Sequence, residues 1–226
     1  MFERLALAAF VWFAIHAFVS GSELRWWLAK RMGERGFSAF FSLLSLASLL
    51  FLIDAYRKAA FYPIWFTPRP LHWLPLAVMP FGLVLLVGAF SVPNATAVGA
   101  QKVLERTDAA RGVLRITRHP FLWATALWSG AHLLVTGHVA AILFFGTLLV
   151  TALRGTSSID DKRRRTNRVE FSRYTEVTSN VPFAAIVLGK NRLVWAELWV
   201  PLLVAALLLA LLLRIHLRAF GFSPFG

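Results

Sequence analysis

Apolar residues fall in six long blocks, at positions 5–19, 37–55, 74–92, 120–136, 139–153 and 193–213. Each is too continuous for the one-sided stripe of a helix on a water-soluble core. Each also approaches the roughly 20 residues that a helix needs to cross a bilayer. The pieces between them are polar. The stretch 21–36 holds Arg25, Trp26, Trp27, Lys30, Arg31 and Arg35, and tryptophans beside basic residues suit the headgroup zone, so an interfacial helix is predicted there. Asp54 and Arg57 close the second block, three apart, where they can pair. Pro63, Pro68 and Pro70 exclude one regular helix over 56–73. Pro75 belongs to the first turn of the third block, Pro80 marks a kink, and Pro93-Asn94 ends it. Gly137-His138 is a tight turn. The long polar piece 154–192 reads as a connection, its charge run from Asp160 to Arg168 as a solvated loop face. The pattern predicts an all-α, polytopic integral membrane bundle: one domain over 1–226, with six transmembrane helices plus interfacial helices.

Composition changes the picture in three ways. The chain is 58% hydrophobic with a mean hydropathy of +0.64, above the ~45–50% apolar content of a soluble domain. It has no cysteine, which removes disulfides, thiolate ligation, iron–sulfur clusters and covalently attached haem. Its net charge of +13 is an orientation signal rather than a nucleic-acid footprint. With six spans, the connections 1–2, 3–4 and 5–6 carry 18 Lys and Arg against 6 on the other side. The positive-inside rule then places the richer side in the cytoplasm and both termini outside, as in a bacterial inner membrane. The start, Met1-Phe2-Glu3-Arg4, lacks a basic n-region and no small-residue cleavage site follows, so the first block is read as a retained span.

Six histidines are the candidate chemistry: His16, His72, His119, His132, His138 and His216. His16 lies near the cytoplasmic end of the first span, and His119 opens the fourth from the same side. His72, His138 and His216 fall at the outer side. His132 is thirteen residues past His119, about 20 Å further outward at 1.5 Å per residue. Only His16 and His119 share a side and a depth. Two imidazoles across a planar ring are the geometry of bis-histidine haem, and an ionisable residue inside a membrane marks a functional site. For each histidine alone, a hydrogen-bonded packing role stays equally open. On a helix His119 shares a face with Ala126 and Gly130, whose small side chains would admit a flat ligand. His132 falls on another stripe with Thr125, Ser129 and Thr136, which suits helix–helix contact. Pro120 at the first helical position sets His119 at a positive helix end, which favours the neutral imidazole a metal needs. Arg115 and Arg118 could neutralise propionates or phosphates, or simply anchor the loop. The chain lacks G-x-S-x-G, H-E-x-x-H, a glycine-rich phosphate loop and structural-zinc spacing.

Ala14-Ile-His16-Ala, Gly33-Glu-Arg-Gly36, Phe41-Ser-Leu-Leu-Ser-Leu46, Arg115-Ile-Thr-Arg-His-Pro120, Trp128-Ser-Gly-Ala-His-Leu-Leu134 and Thr178-Ser-Asn-Val-Pro-Phe-Ala-Ala-Ile186 together resemble the NnrU family. That family includes the plant and cyanobacterial 15-cis-zeta-carotene isomerases. The resemblance implies a membrane protein with haem b on histidine axial ligands, His16 and His119 here, with His132 as the alternative. It also implies cis-to-trans conversion of a polyene, gated by the redox state of the haem through a freed axial position. A cysteine ligand is impossible in this chain, so any ligand exchange would need His132, water or a substrate. The bacterial branch implies a link to nitric oxide metabolism and denitrification, and with it a haem sensor or electron carrier. A second resemblance, of Gly112 and Arg118-His119-Pro120 followed by Glu170, Tyr174 and Val181-Pro182 to isoprenylcysteine carboxyl methyltransferases, implies S-adenosylmethionine held around Arg118, His119 and Glu170.

The expectation is therefore one haem b between spans 1 and 4. His16 and His119 would be ligands and catalytic groups, and Arg115, Arg118, Ala126 and Gly130 would complete the site. The expected partners are a lipid-soluble substrate, membrane lipids and an electron donor, without nucleic acid.

Overall fold

The computed structural model describes residues 2–19, 23–94, 103–104 and 109–225. Lys102 and Arg106, counted above among the basic connections, lie outside the described residues. All the regular structure described is helical, as the pattern predicted. Four segments are long and apolar enough to cross a membrane: Leu24–Arg57, Arg69–Ser91, Val139–Thr166 and Trp199–Phe220. The two other expected spans are also helical. One is α1 (Glu3–Ala14), which runs on as a π-helical segment, Ile15–Val19; the other is α4 (Pro120–Thr136), of 17 residues. At 1.5 Å per residue α4 extends about 25 Å, close to the hydrocarbon thickness of a bilayer.

The next element, α2 (Glu23–Arg57), is two helices in one. Gly33 at φ 75, ψ 161 breaks it, a conformation that only glycine adopts without strain. The part before the break carries Trp26 and Trp27, both exposed, and is the interfacial helix expected over 21–36. The part after it packs antiparallel on α1. Asp54 does not pair with Arg57. It accepts from Arg4 at 2.5 Å and from Lys58 at 2.7 Å, because the start of α1 lies beside the end of α2 and the fourth residue on stacks over the first.

The third long helix, α3 (Leu74–Ser91), has Pro75 in its first turn and Pro80 inside it. It packs on α4 and on α9 (Trp199–Phe220). Gly88 makes room for the loop before α4, since a Cβ there would sit 2.2 Å from Val113 Cγ1. Helix α9 keeps only Pro201 and Ala205 buried and turns Leu203, Leu207 and Leu211 outward, a lipid-facing stripe.

After α4 the chain reverses at Gly137, in left-handed conformation at φ 61. A short helix, α5 (Val139–Ala141), and a second π-helical segment, Ile142–Gly146, lead into α6 (Thr147–Thr166). The fifth block therefore does not end at residue 153. The helix continues through the stretch expected to be loop, and α7 (Arg168–Val177) follows after a break at Asn167. Thr156, Asp160 and Arg163 are the buried residues of this extension, in line with Ala152 before it. They share one face at helical spacing, and because most are polar no hydropathy criterion reveals that face. A short helix, α8 (Ala184–Val187), and a single 3-10 turn, Trp195–Glu197, complete the chain before α9.

The reversal at Gly137 is held by the preceding connection. Ile64 N and Trp65 N donate to Gly137 O at 2.8 and 3.1 Å, and Val139 N donates to Tyr62 O at 3.0 Å. A Cβ on Gly137 would lie 2.2 Å from Trp65 O. Gly137→Ala is therefore expected to cost at least about 1 kcal/mol. Thermal unfolding in detergent checks this against Gly82→Ala, whose Cβ meets nothing closer than 3.9 Å and which should leave the midpoint nearly unchanged.

Candidate functional site

The loop before α4 and the polar half of α6 meet in a buried charged network. Pro120 occupies the first turn of α4, and His119 precedes it at φ −120, ψ 54. Arg118 Nε and Nη2 donate to Asp160 Oδ1 and Oδ2 at 2.9 and 2.5 Å, a bidentate pair. His119 Nε2 lies 2.8 Å from Asp160 Oδ1. A carboxylate only accepts, so Nε2 carries the proton and the lone pair is on Nδ1. The His119 side chain is 0% exposed, and Nδ1 has no hydrogen-bond partner among the described residues. Burial pushes the imidazole pKa down, and Asp160 only partly opposes this. The buried Tyr174 hydroxyl is likewise pushed up by its surroundings.

The segment 178–183 closes this network from above. Arg118 N donates to Ser179 O at 3.0 Å and Phe183 N to Ile116 O at 2.8 Å. Thr117 Oγ1 donates to Asn180 O at 2.5 Å. Asn180 Nδ2 reaches Thr156 Oγ1 at 3.0 Å, and Trp123 Nε1 donates to Asn180 Oδ1 at 3.2 Å. Phe183 takes φ 65, rare for a bulky residue, and stacks on Phe81. Arg115 stands apart from this cluster. Its guanidinium grips Glu197 at 2.8 and 2.9 Å and Asn191 at 2.9 Å, and the hydrogen bond holds the Glu197 carboxyl below its usual range.

A second arrangement lies in the apolar part of the bundle. His16 sits in the first π-helical segment, the kind of helical irregularity that often marks functional sites. Its Nδ1 is 2.8 Å from Trp12 O, and its ring lies 4.1 Å from the Trp12 ring. His132 repeats this: Nδ1 is 2.8 Å from Trp128 O, with the rings 5.7 Å apart. In both, Nδ1–H donates to the carbonyl four residues back, so the lone pair is on Nε2. This second-shell bond is the one that fixes tautomer and ring direction in metal-binding histidines. Trp12 and Trp128 both pack on the cluster of Leu5, Ala8, Phe144, Phe145 and Leu148. Phe41 lies edge-on to His16, and Phe145 of the second π-helical segment packs on His132. Helical side chains lean toward their own N-terminus.

The structure thus separates what the sequence grouped. His119, expected to face His16, is instead enclosed with Asp160, because a buried guanidinium needs that carboxylate and the imidazole shares it. Arg115 and Arg118, expected on propionates, are both engaged by carboxylates within the chain. Ala126 is buried, and a Cβ added to Gly130 would meet Leu149 of α6 at ordinary contact distance, so this small-residue face accommodates a helix. Ser129 and Thr125 bond carbonyls of α4 itself. Arg118 and His119 are turned into Asp160 rather than toward Glu170. Asp160 was read as solvated and is 3% exposed. The one sequence signal for it was its spacing of four from Thr156 and eight from Ala152.

A family model described as NnrU protein matches residues 4–224. The chain belongs to the NnrU family. This NnrU chain is also 27% identical over 170 residues to the chloroplastic 15-cis-zeta-carotene isomerase of Arabidopsis thaliana, across 73% of its own length and 45% of that protein. It therefore spans less than half the length of that relative. No solved structure matches. Four of the six motifs quoted for the family divide between the two arrangements: Ala14 to Ala17 carries His16 and Trp128 to Leu134 carries the Trp128–His132 pair, and Arg115 to Pro120 with Thr178 to Ile186 builds the charged network.

Asp160→Asn leaves Arg118 buried beside a neutral amide, and breaking such a pair costs roughly 3–5 kcal/mol. The expected outcome is a large fall in unfolding midpoint, while Asp161→Asn, at an exposed pair with Arg164, changes little. The lowered His119 pKa makes the folded state favour the neutral ring. That stability is complete above the unfolded value of about 6.5 and falls as pH drops toward the folded value. His119→Gln should remove this part of the acid sensitivity, read as midpoint against pH.

Proposed function

We propose that this protein is a membrane isomerase of a lipid-soluble polyene that binds haem b, with His16 and His132 as the candidate ligand residues. The observation that carries the reading is the repeated device Trp12–His16 and Trp128–His132. Each imidazole is tied at Nδ1, which fixes its tautomer and the direction of its ring. Among the described residues no three of His, Asp and Glu gather around a bare ion, and a porphyrin supplies the four equatorial donors that such a pair lacks. Each of these imidazoles has the fixed tautomer and the partial exposure that a haem ligand needs. His119 has a fixed tautomer too, with its lone pair on Nδ1, but its side chain is 0% exposed and a ring-sized group does not reach it. The relative named as a 15-cis-zeta-carotene isomerase supports the choice of a carotenoid-like hydrocarbon.

Cis–trans isomerisation neither adds nor removes atoms or net electrons; it needs only a transient lowering of one double-bond order. Haem, when bound, would supply an iron whose oxidation state sets how firmly its axial ligands are held. The protein's part is to hold the two imidazoles in one tautomer, to exclude water, and to admit the substrate from the side. Trp12 and Phe41 beside His16, and Trp128 and Phe145 beside His132, give largely aromatic surroundings that suit a hydrocarbon. His16 and His132 are only partly buried, which suits a pocket that opens between helices to the lipid.

Protein made with added haem precursor and purified in detergent should show a Soret band, with split visible bands on reduction. His16→Ala and His132→Ala should each shift or abolish it, while His72→Ala and His216→Ala leave it. Absence of haem, or loss on His119→Gln with His132→Ala unaffected, overturns the assignment. Incubating the reduced holoprotein with a cis-carotene and resolving the isomers by chromatography tests the activity. Haem without turnover in either oxidation state leaves a haem sensor or electron carrier.

A further inference from the structure

A groove of about 550 Å³ runs between the first part of α2 and the polar end of α6, and the site above does not use it. Arg25, Arg154, Lys162 and Arg165 line it; Trp26 and Leu153 add an apolar wall. Its one lining carboxylate, Asp161, is paired with Arg164 at 2.9 Å. The cations are held in place. The Arg25 side chain is 7% exposed, bound to Glu34 at 2.7 Å, and lies 5.5 and 5.2 Å from the ring centroids of Trp26 and Phe37. Arg154 lies 5.3 Å from the Phe13 ring. Lys162 is within electrostatic reach of Arg25 and of buried Arg163. Arg25 is buried, Lys162 is half-buried, Arg154 and Arg165 are exposed beside them, and all four line one concave surface.

The position along α6 sets the ligand's shape. Leu153 ends the apolar part of the helix and Arg154 begins the charged part, so the groove straddles the boundary between hydrocarbon and headgroups. Trp26 and Trp27 lie beside it, with Arg31 4.1 Å from the Trp27 ring centroid, the mixture typical of that zone. A ligand must place negative charge among Arg154, Lys162 and Arg165 and apolar chain along Leu153. Ser157 and Ser158 on the lining add hydroxyl donors for oxygen atoms. We propose that this groove is a specific site for the phosphoryl headgroup of an anionic phospholipid. The proposal does not depend on haem or on isomerase activity.

Native mass spectrometry of the full-length protein from detergent, titrated with phosphatidylglycerol or with phosphatidylcholine of the same acyl chains, tests it. Juxtamembrane basic residues near anionic lipid act additively, so wild type should prefer phosphatidylglycerol by about tenfold or more, and Lys162→Gln with Arg165→Gln should abolish that preference. Arg168→Gln with Arg173→Gln removes equal charge from exposed positions outside the groove and should retain the preference. Equal binding of the two lipids, or equal loss in both double variants, overturns the proposal. Displacement of phosphatidylglycerol by millimolar inorganic phosphate, with phosphate itself retained, assigns the groove to a free phosphoryl ligand and overturns it too. If the double variant fails to fold, Arg165→Gln alone, at an exposed position, should still weaken the preference about fivefold.

Discussion

The buried pairing of Arg118 with Asp160, shared by His119, is the constraint on which one end of this protein is built. A guanidinium at this depth is tolerated only when its charge and its donors are met. Asp160 meets them, so the polar half of α6 must stay helical and stay turned inward. The same demand fixes the start of α4, because Pro120 holds His119 beside the same carboxylate. It also fixes the segment 178–183, which donates and accepts along 116–118 and places Asn180 over Thr156. Three pieces of chain that are distant in sequence are tied to one carboxylate.

Helix α6 is the element that the separate functions share. Near its start, Leu148 belongs to the apolar cluster that supports both tryptophan–histidine pairs. On its buried face, Thr156 and Asp160 hold the charged network. On another face, Arg154, Lys162 and Arg165 line the basic groove. A single helix passing from hydrocarbon to headgroup depth can serve all three, because successive residues are about 100° apart and each site takes a different side.

The family motifs acquire distinct physical meanings in this arrangement. The two that contain His16 and His132, each with a tryptophan four residues earlier in the chain, orient imidazoles in an apolar setting, where an unsatisfied Nδ1–H would be costly and the carbonyl of the tryptophan accepts it. The two that contain Arg-His-Pro and Thr-Ser-Asn-Val-Pro-Phe form a structural cap. In that cap the histidine serves as a donor to a carboxylate, a role that does not require it to face any ligand.

The sequence by itself determined the fold class, the six apolar blocks, the breaks at the prolines and at Gly137, and the six histidines from which a site could be chosen. These follow from local quantities: the length of an apolar run and the conformational limits of proline and glycine. It misassigned 154–166 as loop, because the buried face there is polar and its partner, Arg118, lies 42 residues earlier. It paired His16 with His119 by depth alone, since depth can be counted along a helix. Only the tertiary structure decided which way each ring turns. That choice is made by hydrogen bonds to Trp12, Trp128 and Asp160, two of them a single helical turn away and one reached only through folding.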